Sequence, residues 1–482
     1  MLNLRPVFHL IGLLSLTLGV LMLIPAALDW RSGNDNWHAF ARASFLVCLI
    51  GGVAAMATRQ ALADGLGRRQ SFLLTASVWA VLPALGALPF IFGAPHASPT
   101  HALFEALSGM TTTGTTVFTG LDDLPPGVLL WRSMLQWLGG LGIIIVALVF
   151  LPVLRVGGMQ HFQAEAFDTM GKVLPRVYDI SMGLLQVYIG LTLAAIMSYM
   201  AYGMNGFDAI NHAMTTIATG GFSTSDQSFA KFTGPLEYVS ALYMILAGLP
   251  FIRFVQLVGG SWTPLLRDVQ VRAFLRWSAY AVLVIIVYRL MNSDDHPLDV
   301  LRGTLFNVVT LITGTGYGSE AVDGWGDFPL LVIVLMGFIG ACTASTGCSL
   351  KVFRYLVLFE AIRAQMQRLR RPHEVVSLKL GGKRLEEDVI SSVIVMFTVF
   401  IASFMLLSVG LSLTGLGLRA SMTAAWTSIC NIGPVFGPEV GATGAVDSFP
   451  EAAKWLMMLG MYLGRLEVLA VMVLLLPRFW RG

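Results

Sequence analysis

Apolar runs of about 20 residues, long enough to cross a bilayer as helix, recur along the whole chain. They centre near residues 8–28, 39–58, 72–93, 128–154, 180–203, 236–259, 274–291, 328–360, 388–413 and 452–477. Lipid offers no partner to free backbone groups, so such runs are helices. The pattern predicts an all-α integral membrane protein with about ten crossings. Between several runs lie half-apolar segments rich in Thr, Ser and Gly, at 100–118, 206–225, 299–319 and 418–438. They are too short to span. They read as re-entrant short helices followed by exposed backbone, which survives at membrane depth only beside a water-filled cavity.

The first two runs have no such segment and form an appendage, and the other eight pair into four span–short helix–span units. The expected division is an N-terminal two-helix appendage at 1–66, then four pseudo-repeated units at 67–160, 161–262, 263–372 and 373–482.

Composition agrees. The 482 residues are 56% hydrophobic and 12% charged, about half the charged share of an ordinary soluble domain. The run Val7–Leu28 is longer than the core of a signal peptide and more spans follow it, so it reads as a retained first helix. A formal net charge of +3 is too small to suggest nucleic acid. Cys48, Cys342, Cys348 and Cys430 sit in apolar or Gly-rich segments without metal-ligand spacing and read as packing residues. There is no Gly-x-x-x-x-Gly-Lys-Ser/Thr cradle and no His-Glu-x-x-His site, and His212 and His296 are isolated. The chain is not expected to be an enzyme or to bind an organic cofactor. A solute carrier would show a two-fold or inverted repeat rather than four copies of one unit.

Basic residues orient the chain. Arg59, Arg68 and Arg69 follow the second run, Arg155, Lys172 and Arg176 the fourth, and Arg267, Arg272 and Arg276 the sixth. Arg363 to Arg384 follow the eighth, and Arg478 and Arg481 the tenth. All five groups fall on one side, the cytoplasm, which also holds both termini. The stretch Arg363–Arg384 is a candidate docking surface for a cytosolic partner. The short segments then belong outside, flanked by Asp122, Asp123, Asp226, Asp294, Asp295, Glu320, Asp323, Asp327, Glu439, Asp447 and Glu451. Singly these fit solvated loops; as a group they would ring an outer vestibule and concentrate cations.

Each short segment ends alike, in small or hydroxyl residues and a glycine at the same relative place: Gly114, Gly221, Gly316 and Gly433. A dehydrated potassium ion needs a cage of oxygens, which aligned backbone carbonyls provide. Aligning them requires angles that glycine adopts cheaply. A short helix also directs its negative C-terminal end toward the ion path. The candidate ion ligands, mainly through backbone carbonyls, are Thr112, Thr113, Gly114, Thr219, Gly220, Gly221, Thr315, Gly316, Tyr317, Asn431, Ile432 and Gly433. Thr315-Gly316-Tyr317-Gly318 is similar to the TVGYG loop of potassium channels.

These loops, with Trp131-Arg132-Ser133, Gln136–Gly142 and Gly464-Arg465-Leu466-Glu467, resemble the TrkH/KtrB/HKT superfamily of potassium and sodium translocators. The resemblance covers essentially the whole chain. Within the superfamily, the extra N-terminal span pair points to the TrkH branch. The resemblance implies four channel-like units around one pore in a bacterial inner membrane, with K⁺ as the transported ion. It implies a homodimer regulated by a cytosolic TrkA-like ring of nucleotide-binding subunits. In HKT relatives a serine in place of the first glycine goes with sodium selectivity, so Gly114 favours potassium. The alternative is a less selective K⁺/Na⁺ translocator or a cation symporter.

The eighth run is interrupted by small, polar residues between Gly337 and Lys351. Close helix packing is one explanation. The resemblance implies instead an intramembrane loop under the filter, a gate using Thr343, Ser345, Gly347 and Lys351. Cys342, Cys348 and Ser349 stand where the family commonly has glycine. Arg465 would be a positive barrier touching that loop. Pairing with Glu467 is the bland alternative, although residues two apart on a helix do not face each other.

Overall fold

The computed structural model describes residues 3–62, 66–145, 177–373 and 377–481. The basic group Arg155, Lys172 and Arg176 and the expected boundary at 160/161 lie outside these residues. The fold is nearly all helical. Among the described residues the only strands are the pair Lys379–Leu380 and Lys383–Arg384.

Among the described residues seven helices are long and apolar enough to cross a membrane, from Arg5–Arg31 and Trp37–Ala57 to Glu387–Leu413, or eight when one bent pair is included. Ten were expected, and the difference has a physical cause. Three of the expected spans are broken. The sixth splits into Pro235–Ala247 and Phe251–Val258, bent by 94°. The eighth splits into Asp327–Ile339 and Val352–Arg370, as its polar interruption suggested. The tenth splits into Glu451–Arg465 and Leu469–Leu475. The last two breaks include the left-handed residues Gly340, Lys351 and Glu467.

Backbone freed at the breaks finds partners across them. Pro250 has no N–H to give, and Leu246 O accepts from Leu249 N at 3.1 Å; the carbonyl of Gly248 accepts from Cys342 N at 3.0 Å. Phe251 N donates to Ala344 O at 2.9 Å, and Thr346 Oγ1 donates to Ala247 O at 3.1 Å. The loop between Ile339 and Val352 is thus stitched into the sixth span's bend. This is how irregular backbone is tolerated at membrane depth.

The N-terminal pair packs through small residues, as membrane helices do. A Cβ on Gly12 would lie 2.7 Å from Ala55 N and 2.8 Å from Gly51 O, and Ser44 Oγ donates to Gly19 O at 2.7 Å. The pair is anchored by Asp29, which is fully buried. It accepts from Asn36 Nδ2 at 2.8 Å and from Gly127 N at 2.6 Å. That second donor is one of the free N–H groups at the start of Pro126–Ile145, where a carboxylate also meets the positive end of the helix dipole.

Gly12→Leu forces this contact apart and is expected to destabilise the protein by about 1–3 kcal/mol, the usual penalty for overpacking. Thermal unfolding in detergent reads it as a lowered Tm; an unchanged Tm would mean that the pair does not pack along this face.

Candidate functional site

The four short helices are Pro99–Met110, Gly206–Ile217, Pro297–Thr313 and Leu418–Cys430. Their starts are set locally. Ser98 accepts from His101 N, Asn205 from Asp208 N and His296 from Leu298 N, each satisfying a free donor of the first turn. Pro99 and Pro297 occupy the opening turn, where a missing N–H costs nothing. The fourth helix follows Gly417, whose N–H donates to Glu439 Oε1 at 2.9 Å.

After each helix the backbone repeats one unusual pattern. Two left-handed residues lie two apart: Thr112 and Gly114, Thr219 and Gly221, Gly314 and Gly316, Asn431 and Gly433. In each loop the residue between them donates its N–H back into the helix: Thr113 to Ser108 O, Gly220 to Thr215 O, Thr315 to Thr310 O and Ile432 to Thr427 O, at 2.8–3.1 Å. The four loops therefore share a backbone although their side chains differ.

They also close on one another. A Cβ on Gly114 would strike the Gly220 carbonyl oxygen; on Gly221, that of Thr315; on Gly316, that of Ile432. On Gly433 it would lie 2.9 Å from Thr113 O. All four distances fall below the 3.0 Å that real Cβ atoms essentially never breach. Each glycine thus presses on the carbonyl just before the next unit's glycine, in the order one to two to three to four and back to one. The structure brings the twelve sequence-predicted loop residues into one closed ring at the C-terminal ends of four short helices, where partial negative charge gathers.

The ring is braced by side chains that the sequence reading largely passed over. Six residues before each glycine stands a hydroxyl: Ser108, Thr215, Thr310 and Thr427. Ser108 Oγ donates to Thr115 O (2.5 Å), Thr310 Oγ1 accepts from Tyr317 N (2.9 Å) and Thr427 Oγ1 from Gly433 N (2.7 Å). Thr215 Oγ1 bonds Tyr317 Oη at 2.5 Å, joining the second unit to the third. The recurrence was visible in the aligned loops. Gln136 reaches across units, donating from Nε2 to Gly220 O (2.6 Å) and accepting from Phe222 N (3.0 Å). Arg132 and Glu105 form a fully buried ion pair at 2.8 Å. Arg132 also donates to Ser223 O at 2.8 Å and lies over the Phe222 ring at 4.2 Å. Glu105 accepts from Val117 N at 3.0 Å.

On one side the ring opens into a cavity of about 580 Å³ lined by all four loops, with Asp226, Glu320 and Asp323 in its wall. Carboxylates of the expected vestibule, wall residues included, are also engaged in holding loops. Asp122 pairs with Lys231 at 3.2 Å, and Asp295 and Glu320 both meet Arg289. The wall residue Asp226 itself accepts from Gly120 N and Leu121 N, and Asp323 pairs with Arg419. Burial acts to raise the Asp122 pKa, but bonds from Ser225, Asp226 N and Lys231 outweigh it and hold the group below its ordinary range.

On the other side lies the interrupted eighth span. Thr343, Ser345, Gly347 and Lys351 are all buried there. A Cβ on Gly347 would lie 2.8 Å from Thr313 O, and Ser349 Oγ donates to Cys430 O at 3.3 Å, so the loop sits against the ends of the third and fourth short helices. Arg465, 1% exposed, donates to Cys348 Sγ and, at 2.9 Å, to Gly139 O. Its expected contact with the loop is present. Glu467 turns instead to Arg354, in a buried pair at 2.5 Å. Cys348 is thus a hydrogen-bond partner as well as a packing residue. His212 is buried and bonds Asp208 O and Ser223 Oγ, and His296 caps a helix, both structural.

A family model described as TrkH, cation transport protein, matches residues 37–481. The chain is 35% identical over 478 residues to the Trk system potassium uptake protein TrkI of Halomonas elongata, covering 99% of this chain and 97% of that one. It is 35% identical over 485 residues to the Trk system potassium uptake protein TrkH of Escherichia coli, covering 99% of each. The crystal structure of the potassium transporter TrkH from Vibrio parahaemolyticus superposes with a TM-score of 0.91 at 31% identity, over 100% of both chains.

Arg132→Met strands a buried carboxylate and should cost about 3–5 kcal/mol, read as a loss of Tm and of folded yield. Adding Glu105→Gln should restore part of that loss; a double variant no better than the single one would refute the pairing. Asp122 makes a milder, pH-dependent contribution. Its folded pKa is lowered, so the stability is full above the ordinary carboxylate range and is lost as pH falls through the folded pKa. The Tm gap between wild type and Asp122→Asn should therefore narrow only on acidification below that range.

Proposed function

The chain belongs to the TrkH family of cation transport proteins, and on that premise we propose that it admits potassium through the ring of four loops. It is a multi-pass membrane transporter of potassium rather than an enzyme. The two-helix appendage and four units at 67–160, 161–262, 263–372 and 373–482 are the proposed domains, with the ring on their common axis. The filter is formed by carbonyls of Thr112 to Gly114, Thr219 to Gly221, Thr315 to Tyr317 and Asn431 to Gly433.

The observation that carries this reading is the cyclic contact between each glycine and the carbonyl of the next unit. Aligned carbonyls replace a potassium ion's hydration shell. The cavity with Asp226, Glu320 and Asp323 in its wall would be its outer mouth; Glu320 and Asp323 are paired with arginines, which leaves Asp226, held by backbone N–H groups, to draw cations in. Beneath the ring, the loop with Thr343, Ser345, Gly347 and Lys351 is the gate, and Arg465 holds it through Cys348. An unneutralised guanidinium there repels a passing cation strongly in a low dielectric. The proposed assembly is a homodimer with both termini in the cytoplasm. A cytosolic TrkA-like nucleotide-binding ring docks on the basic stretch Arg363–Arg384 and moves the gate.

The test is the reversal potential of the reconstituted protein under opposed K⁺ and Na⁺ gradients, for wild type and Gly114→Ser. The wild type should prefer potassium. Serine would meet both a φ of +88 and the Gly220 carbonyl, so the substitution should reduce the K⁺/Na⁺ permeability ratio severalfold. A wild type without potassium preference, or a ratio indifferent to the change, refutes the filter assignment.

A further inference from the structure

The ring's seams are fastened by different side chains, and the seam between the fourth and first units leads on to Arg465. Asn431 Nδ2 donates to Thr113 Oγ1 at 2.9 Å and to Met461 O at 3.0 Å. The Met461 carbonyl can only accept, which fixes the orientation of the amide. Asn431 Oδ1 is buried without a partner, so the amide is held by what it donates.

Both bonds matter beyond their own contact. Thr113 Oγ1 lies 2.7 Å from Thr111 Oγ1, which donates to Leu107 O at 2.8 Å. A hydroxyl chain running toward that carbonyl needs a donor at its head, and Asn431 supplies it. Met461 belongs to the helix Glu451–Arg465. That helix lies hard against the fourth loop: a Cβ on Gly464 would strike Ile429 O and lie 2.7 Å from Asn431 Oδ1. The next residue is Arg465, bonded to Cys348 of the interrupted span and to Gly139 O. A Cβ on Gly139 would in turn strike Met110 O, at the end of the first short helix. The contacts therefore form a closed circuit from the fourth loop through Met461 and Arg465 back to the first unit's loop.

We propose that Asn431 is a positioning residue that couples the fourth–first seam of the ring to Arg465, so that filter geometry and gate closure are set together. The inference rests on the pathway reading above. Packed cores settle into discrete arrangements rather than deforming smoothly, and Gly464 leaves no slack in this circuit. Loosening the seam therefore frees Arg465 from Cys348 as well as altering the ring.

Asn431→Gly keeps the left-handed backbone and removes the side chain with both of its bonds, leaving the Thr115 Oγ1 to Gly433 O bond (2.6 Å) across the same seam. The full chain, reconstituted without a cytosolic partner, is compared with Arg465→Met and with the double variant, reading reversal potential and passive K⁺ leak. Asn431→Gly should lower the K⁺/Na⁺ ratio and raise the leak together, the leak by about tenfold, as expected for two lost hydrogen bonds. In the Arg465→Met background it should still lower the ratio but add no further leak. A leak unchanged by Asn431→Gly, or one that multiplies with that of Arg465→Met, overturns the coupling. Should Asn431→Gly fail to fold, Thr113→Val removes the acceptor hydroxyl at nearly constant shape and must show the same paired shift. A wild type with no potassium preference refutes the proposed function itself, whereas a selective wild type with uncoupled leak refutes only this inference.

Discussion

Everything in this molecule depends on bringing four backbones so close that the glycine of each unit lies against a carbonyl of the next. That contact allows no side chain at Gly114, Gly221, Gly316 or Gly433. It also leaves the loop carbonyls without helical partners in a region where lipid provides none. The remaining architecture answers the second problem. The residue between the left-handed positions donates back into its own short helix in all four loops. Ser108, Thr310 and Thr427 each hold a backbone group of the loop. Gln136 and Arg132 then take up backbone of the second loop from the first unit.

The buried charges sort by the same logic. Arg132 and Arg354 each face a carboxylate, Glu105 and Glu467. Breaking such a pair leaves an uncompensated charge, so both are structural fixtures. Arg465 differs: its guanidinium donates to a thiol and a carbonyl and lies 5.1 Å over the Trp79 ring, and its Nε has no hydrogen-bond partner among the described residues. Its charge is solvated by dipoles rather than cancelled. A cation approaching from the ring would meet a net positive field unless the guanidinium moves, and its attachment to Cys348 makes that motion inseparable from motion of the interrupted span. Neutral partners would suit the release that the proposed gate requires.

Much of this was legible in the sequence, and the parts that were not share a reason. Periodicity gives the helical class, and the repeated glycines give the ring's members, because one backbone requirement recurs in four places in the chain. The interruption at 340–351 showed as a run of small polar residues. The bend at Gly248–Pro250 and the break at Leu466–Val468 did not, because the apolar residues on either side continue the hydropathy of a span. Their partners, Cys342, Ala344 and Thr346 for the bend, are far away in sequence. The Arg354–Glu467 pair was hidden for the same reason: 113 residues separate its members, and Arg465 stood nearer as a candidate.

The unlike walls of the ring follow from what the shared backbone does and does not specify. It requires glycine only at the second left-handed position, where the neighbouring carbonyl intrudes. The first position is open to Thr112, Thr219, Gly314 and Asn431, and a non-glycine residue there carries a strain of about 1–2 kcal/mol. Two of the units offset that strain locally, each in its own way. Thr219 turns its hydroxyl to Ala218 O, Gly314 carries no such strain, and Asn431 spends its amide on two neighbours. Thr112 Oγ1 has no partner among the described residues. Four carbonyl walls of one shape can therefore be held by four different networks. A pathway built this way can keep its carbonyl geometry while one wall carries the link proposed here to the proposed gate, a division of labour that a strictly four-fold ring, with every wall bound to do the same, could not make.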